Sequence, residues 1–466
     1  MNHDEHVTKL KQFREQVYQN FNKRADTLMD LLDALSSNTT AQSVVELSMT
    51  AAFRRGYSAL FTALDEWVPK ESKKTLAQLA GPYLPKPANL PFWLLGVDVT
   101  SQPRPHAQTL KDRSYVYQPN TVKGNKPIAI GHAYSNVVLF PEEESGHGPV
   151  WVVPLTVQRV ESSEDKELVG ALQVRTLLED EKLPFHGELC VEVGDSGYSK
   201  PAYMAKNRDK DNLITITRAR NNRIFYRQAA AVTDKTEVGH PTWYGDLFSL
   251  SDETTWPATD ATATTTFVSL SGKTYQAKIE GWHNMLMKGE RKPVVLPMHL
   301  HPFTLVRVRL FNEKGELAFQ RPLWLIVMGK RRSEITLLHI FQAYQRRYDI
   351  EHFFRFGKQH LLLDRYQTPE VVHEEKWWLM CHLAYLQLWI ARTVAKIVPR
   401  PWETLPSTDQ KPPLSATHVQ RDFERIIQQF GTPAVAPKRR GNAPGRRKGM
   451  ILPRRPRPAI VYKGKT

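Results

Sequence analysis

The sequence predicts an α/β fold: a mixed-sheet core with a helical N-terminal domain, a β-rich insertion and a basic C-terminal tail. Two observations predict it. Between residues 89 and 220, strand-type and helix-type patterns follow the order strand, strand, strand, helix, strand, helix, strand. The first part suits an antiparallel meander and the later part a parallel extension. After a long stretch rich in Thr, Pro and Trp, one more apolar strand leads into two strongly helical segments near residues 333–398.

Each element has its own signal. Residues 1–88 carry apolar positions at helical spacing, as in VVELSMTAAFRRGYSALFTALDEWV, with Thr39 or Thr40 placed to cap. A proline-rich linker, GPYLPKPANLP, closes this region. PFWLLGVDVTS, KPIAIGHAYS and GPVWVVPLTV are strands rich in Val, Ile and aromatics. SEDKELVGALQVRTLLEDEK is an amphipathic helix with Ser162 or Ser163 near its cap, and GELCVEVGD is the fourth strand. SKPAYMAKNRDK is a short helix with Pro201 early, where its missing N–H costs little, and NLITITRAR is the fifth strand. In the insertion, TTTFVSLSGKTYQAKIEGW and PFTLVRVRLFNEKGELAFQ read as antiparallel hairpins, the second turning at residues 312–315. RPLWLIVMGK returns as a strand. A single long helix capped by Ser333 is expected to run to His360, and a second from Val371. The expected domains are 1–88 (helical, DNA-binding), 89–220 (catalytic core, first part), 221–321 (β-rich insertion), 322–400 (last core strand and helices) and 401–466 (Pro-rich basic tail, largely disordered).

The net charge of +16 and pI of about 9.6 favour a polyanionic partner. Residues 431–466 hold eleven Lys or Arg and no Asp or Glu, which leaves +5 for the rest of the chain. The body's basic surface must therefore be local, while the tail can neutralise phosphates without reading sequence. Cys190 and Cys381 lie in apolar runs, so a disulfide framework and the usual zinc spacings are excluded, and both thiols are expected buried. The most apolar segment, residues 377–390, is too short to span a bilayer and reads as a core helix. No signal peptide opens the sequence, so a cytoplasmic protein is expected.

Acidic residues supply the chemistry. Asp98 closes the first apolar strand and Asp195 the fourth. Glu351 lies on the late helix, in AYQRRYDIEHFFRFGKQH, where Tyr344, Arg347, Glu351 and Lys358 are spaced three, four and seven apart. On a continuous helix those offsets share one stripe within roughly 60°. Three carboxylates without sulfur or imidazole partners favour Mg²⁺ or Mn²⁺ over zinc. Two such ions roughly 3.5–4 Å apart can activate a water or a 3′-hydroxyl and stabilise the leaving oxygen of a phosphodiester. An Asp at a strand end is more often a turn residue, however, and three acids can be picked from any chain holding 48.

GVDVTS, VGDSGY and the Tyr344–Lys358 segment together resemble the DDE transposases of the IS-four family of bacterial insertion sequences. The Y-R-E-K signature of that family matches Tyr344, Arg347, Glu351 and Lys358 in every spacing, and WLIVMGK resembles the Tn-five-like branch. The resemblance covers about residues 92–365. It implies a ribonuclease H-like core interrupted by a β insertion before its last helix. It implies that Asp98, Asp195 and Glu351 hold two Mg²⁺ ions, for which Mn²⁺ can substitute. Tyr344 and Arg347 would contact phosphates near the cut end, and Lys358 the terminal phosphate. Trp324 matches a tryptophan that stacks on a flipped base, one residue closer to the signature here; packing in an apolar strand is the competing reading. Tyr366, Trp377 and Trp378 are expected to be core.

The implied partner is double-stranded DNA, both the element's ends and its target, bound by a homodimer associated with the bacterial nucleoid and not with a membrane. The apolar helix after residue 377 gives a separate hint of a subunit interface. Three functions remain open: a cut-and-paste transposase, a metal-dependent nuclease without strand transfer, and an inactive DNA-binding descendant.

Overall fold

The computed structural model describes residues 3–70, 74–118, 127–142, 149–229, 243–269, 272–289, 295–398, 400, 414–438 and 455–461. The N-terminal region is helical, as expected: α1 (His3–Asn20), α2 (Ala25–Ser36), α3 (Val44–Leu47), α4 (Tyr57–Glu66) and α5 (Thr75–Ala80). The cap of α3 is Ser43, whose hydroxyl accepts from the Glu46 N–H, and not Thr39 or Thr40.

The central sheet begins with β1 (Trp93–Pro103), β2 (Ser114–Tyr117), β3 (Ile128–Leu139) and β4 (Val153–Val160). The four-residue β2 escapes the sequence because Tyr115 and Tyr117 point to solvent and no apolar run marks it. α6 (Lys166–Leu178) then crosses to β5 (Cys190–Gly194), and α7 (Pro201–Lys206) to β6 (Leu213–Ala219). Asp165 caps α6 by accepting from Glu167 and Leu168 N–H groups, in place of Ser162 or Ser163. β3 is antiparallel to both β1 and β4, while β5 is parallel to β1 and β6 to β5. The resulting order β4-β3-β1-β5-β6 joins a meander to a parallel extension and is consistent with a ribonuclease H-like core. β5 and β6 are buried along nearly their whole length, which is why they read as continuous apolar runs.

The residues of the expected insertion do not stand apart. β7 (Ile224–Gln228) and β8 (Tyr244–Ser249) form a separate ribbon. β9 (Ala261–Val268), β10 (Thr274–Met285) and β11 (Phe303–Phe311), however, continue the central sheet through β12 (Leu323–Met328), which pairs with β6. The free edge of β6 is thereby covered, which satisfies backbone groups that would otherwise be exposed. The β9–β10 hairpin matches its expectation. The second hairpin turns at residues 312–315, where Gly315 takes a left-handed φ of 77°, but its return is a single bridge from Phe311 to Leu317.

The long helix expected from Ser333 is broken. It becomes α8 (Leu337–Gln345), a 3₁₀ turn over Arg346–Tyr348, and α9 (Asp349–His360). Thr336 is the cap, accepting from the His339 N–H. Tyr344, Arg347 and Glu351 therefore do not lie on one uninterrupted α-helix, because the 3₁₀ turn winds about three residues per turn.

α10 (Val371–Ile397) carries Trp377, Trp378 and Trp389, all essentially fully buried. It is covered by β4 and α5 and by α1, α2, α4 and α11 (Ala416–Phe430). One sequence expectation is corrected here. The apolar faces of α10 are covered within this chain, so they give no hint of a subunit interface. Residues 416–430, in the stretch where VQRDFERIIQQF alone carries helical spacing, are a packed helix with Val419, Phe423 and Ile426 buried. The rest of the basic tail lies largely outside the described residues. The N-terminal helices share this core: Arg14 of α1 makes a two-pronged bond to Asp33 of α2 at 2.6 and 2.9 Å and reaches Gln387 of α10 at 3.0 Å. Among the described residues no helix is long and apolar enough to cross a membrane. Both cysteines are free and buried.

Candidate active site

The parallel register of β1 and β5 pairs Trp93 with Cys190 and ends at Gly96 with Val193. Two residues further along each strand stand Asp98 and Asp195, at the same level of neighbouring strands. The apolar runs WLLGV and CVEVG lead to these positions because both strands are buried at the sheet centre. Beyond them the chain needs polar residues. Asp98 accepts from the Val99 N–H at 2.8 Å, and Asp195 caps the 3₁₀ turn Ser196–Ser199 by accepting from the Gly197 N–H at 2.7 Å.

Gly96 brings the third element in. A Cβ there would stand 2.5 Å from the Phe140 ring and 2.7 Å from Ile350 Cδ1. Only a residue without a side chain lets Ile350, one residue before Glu351, pack so closely on β1. Glu351 itself is half exposed. Arg347 is 8% exposed and sits between the acids: Nη2 donates to Glu351 Oε1 at 2.9 Å, and Nη1 lies 3.8 Å from Asp98 Oδ2. Its guanidinium also lies 4.4 Å from the centre of the Tyr348 ring, and its Nε is buried without a hydrogen-bond partner.

The electrostatics follow from this crowding. Burial, and then the negative charge of Asp195, push the Asp98 carboxyl up to about 7; Glu351 adds to the rise, while Val99 and Arg347 oppose it. Burial works against the charge on Arg347, yet Tyr344, Asp98 and Glu351 outweigh it and hold the guanidinium above its ordinary value. Tyr344 is 2% exposed, and burial raises its hydroxyl to about 12. Arg347 and Arg218 oppose that rise, while Tyr348 and Asp195 add to it. Lys358 is half-buried and donates to the Ser101 carbonyl of β1 at 3.0 Å. Burial lowers its pKa.

The structure thus brings six of the seven sequence-predicted residues to one end of β1 and β5. Trp324 is the exception. It is fully buried in β12, with Trp256, Trp282 and Phe248 at ring distances of 5.2, 5.7 and 6.0 Å. No face of the ring is open to a base, so the packing reading holds here. One neighbour went unnoticed in the sequence. Glu167, buried at the start of α6, ion-pairs with Lys200 at 3.2 Å and would stand 3.1 Å from a Cβ on Gly197. Its only sequence signal is an acid in the first turn of a helix.

The donor set is entirely carboxylate, which suits a hard divalent cation. As placed, no three His, Cys, Asp or Glu among the described residues converge tightly enough to grip one ion. Asp98 and Asp195 approach each other, whereas Glu351 is turned to Arg347. The donor atoms fit such a cation by their chemistry, and Glu351 is half exposed.

The family model for DDE superfamily endonucleases matches residues 16–288, more than half of the chain. The chain belongs to the DDE superfamily endonuclease family. The match contains Asp98 and Asp195 and ends before Glu351. It starts within α1, so the helices expected to form a separate N-terminal region lie largely inside it. No curated protein matches the chain. A DDE superfamily endonuclease is a nuclease-type enzyme with DNA as its implied substrate, and the family as a whole works with divalent metal ions.

Proposed function

We propose that this DDE superfamily endonuclease is the transposase of an insertion sequence, of the Tn-five-like, Y-R-E-K kind, and that it cuts and joins DNA strands. The observation that carries the proposal is that Arg347 lies against Asp98 and Glu351, at 3.8 and 2.9 Å, with Asp195 level with Asp98 on the neighbouring strand. A carboxyl whose proton affinity is raised by burial and by a neighbouring acid, as that of Asp98 is, is costly to keep charged, and a bound cation offsets that cost. Asp98 and Asp195 would hold divalent metal from the strand ends, and Glu351 from α9. Mg²⁺ is the expected ion, with Mn²⁺ an effective substitute. When bound, such ions activate the attacking oxygen and neutralise charge on the leaving one.

The remaining roles belong to the chain's own residues. Arg347, anchored beside both acids, is positioned to hold a phosphate oxygen through its guanidinium. Tyr344 stays protonated at neutral pH and can donate from its hydroxyl. Lys358 gives up a single backbone carbonyl to reach a terminal phosphate. Trp324 is not assigned a role. Pairing of two subunits on two DNA ends rests on the family resemblance alone.

The test is incubation of the full chain with Mg²⁺, a DNA fragment carrying the element's ends and a target plasmid, followed by sequencing of the products. Ends joined to target establish transposition. Fragments cut at the ends but never joined establish the second reading, a nuclease without strand transfer. No Mg²⁺-dependent cutting at all would remove both.

A further inference from the structure

Glu167 has no part in the roles above, yet it is only 4% exposed. A helix N-terminus favours an acid in its first turn, but that attraction needs no burial, and Asp165 already caps α6. Burying a carboxylate is costly unless a partner compensates it. The close partner is Lys200, whose Nζ lies 3.2 Å from Glu167 Oε2 and 3.8 Å from Asp165 Oδ2; Lys166, on the same helix, stands off at 3.9 Å. Lys200 is the residue on which the 3₁₀ turn Ser196–Ser199 ends and α7 begins, and it gives α7 no side-chain cap.

The turn that Asp195 starts is thus fixed at both ends. At its start the Asp195 carboxylate accepts from the Gly197 N–H at 2.7 Å. At its end Lys200 is held to the first turn of α6. Between them, a Cβ on Gly197 would stand 3.0 Å from Asp195 Oδ1 and 3.1 Å from Glu167 Oε1, so both carboxylates close on one backbone position. α6 is itself seated on β1: a Cβ on Gly170 would stand 2.7 Å from Cγ2 of Val97, the residue before Asp98. A tie from the turn to α6 is therefore also a tie from Asp195 to the strand that carries Asp98.

We propose that Glu167 is a positioning residue for the metal centre. Through Lys200 it clamps the Asp195 turn to α6 and fixes the Asp195 carboxylate relative to Asp98. It acts through the turn and not as a ligand. The clamp rests on the reading of Asp98 and Asp195 as metal ligands. Groups that orient a ligand from outside in this way are typically worth about 10–100-fold in metal affinity.

The experiment titrates Mn²⁺ into the metal-free full chain by calorimetry, without DNA. Glu167→Gln should weaken Mn²⁺ binding about 10-fold. Lys200→Met should weaken it to a similar extent, and the double variant should be no worse than either single one, because both break the same clamp. A purely electrostatic role predicts the opposite for the lysine: removing a cation near the acids would tighten Mn²⁺ binding. Glu179→Gln breaks ion pairs with Arg175 and Lys210 at the far end of α6, and should leave the affinity at the wild-type value. Thermal unfolding checks that each variant is folded. If Glu167→Gln is not, the half-exposed Lys200 carries the test through Lys200→Met. Unchanged affinity in Glu167→Gln, tighter binding by Lys200→Met, or additive losses in the double variant overturns the clamp. The metal reading is judged separately, by wild type and Asp195→Asn. If wild type shows no saturable Mn²⁺ binding, or Asp195→Asn binds as wild type does, that reading falls and the clamp falls with it.

Discussion

Arg347 donates to the carboxylate of Glu351 at 2.9 Å, so one member of the acidic set is tied to a cation that the chain itself supplies. The same guanidinium lies 3.8 Å from Asp98. Arg347 and a divalent ion therefore compete for the same two acids. Engagement of the guanidinium by a DNA phosphate would release Glu351 toward the metal.

Arg347→Gln should separate the two partners. Mn²⁺ binding, followed by calorimetry without DNA, should tighten by up to about fivefold, equivalent to the roughly 1 kcal/mol of a half-exposed ion pair. DNA cleavage should fall in the same variant, because the phosphate contact is lost. Weaker Mn²⁺ binding would show that Arg347 supports the metal site and does not compete for it.

Asp98 should make the protein less stable as pH rises. Its carboxyl titrates at about 7 in the folded chain, against about 3.9 when unfolded. The folded state therefore binds the extra proton between these values, and ∂ΔG/∂pH is negative there. The stabilisation is fully present below about pH 4 and is lost as pH climbs through about 7. Thermal unfolding in EDTA should show wild type losing more stability than Asp98→Asn between pH 5 and pH 8. Equal losses in the two proteins would mean that Asp98 is not held in a crowded, buried setting.

Arg14 tests how the N-terminal helices are joined to the rest. The Arg14–Asp33 pair is buried, so Arg14→Met leaves Asp33 without its main counter-ion and should cost about 3–5 kcal/mol. Since α1, α2 and α10 share one core, urea unfolding should shift as a single transition. A separate early transition for the N-terminal helices would show them to be an independent unit.

The parts of the fold that were legible are those whose signal is local. β1, β5 and β6 are largely buried and read as mainly apolar runs, and Asp98 and Asp195 stand out as acids at the ends of two of them. The i,i+4 spacing of Arg347 and Glu351 also survives in the structure. The break at residues 346–348 was hidden because the apolar pattern continues through it. Continuity of the sheet from β6 to β12 depends on pairing between distant segments, such as Ala219 with Trp324, which no local pattern encodes. Trp324 looks alike in sequence whether it stacks on a base or fills a core; only the ring of Trp256, Trp282 and Phe248 decides it.

The most direct test of the central claim is single-turnover cleavage of end-bearing DNA in Mn²⁺ by wild type and by the Asp98→Asn, Asp195→Asn and Glu351→Gln variants, with DNA binding measured in parallel. Loss of any one metal ligand should slow cleavage at least about 1000-fold, about 4 kcal/mol of barrier, while binding stays within a few fold. Cleavage at the wild-type rate by any of the three variants would contradict the assignment of that acid to the centre.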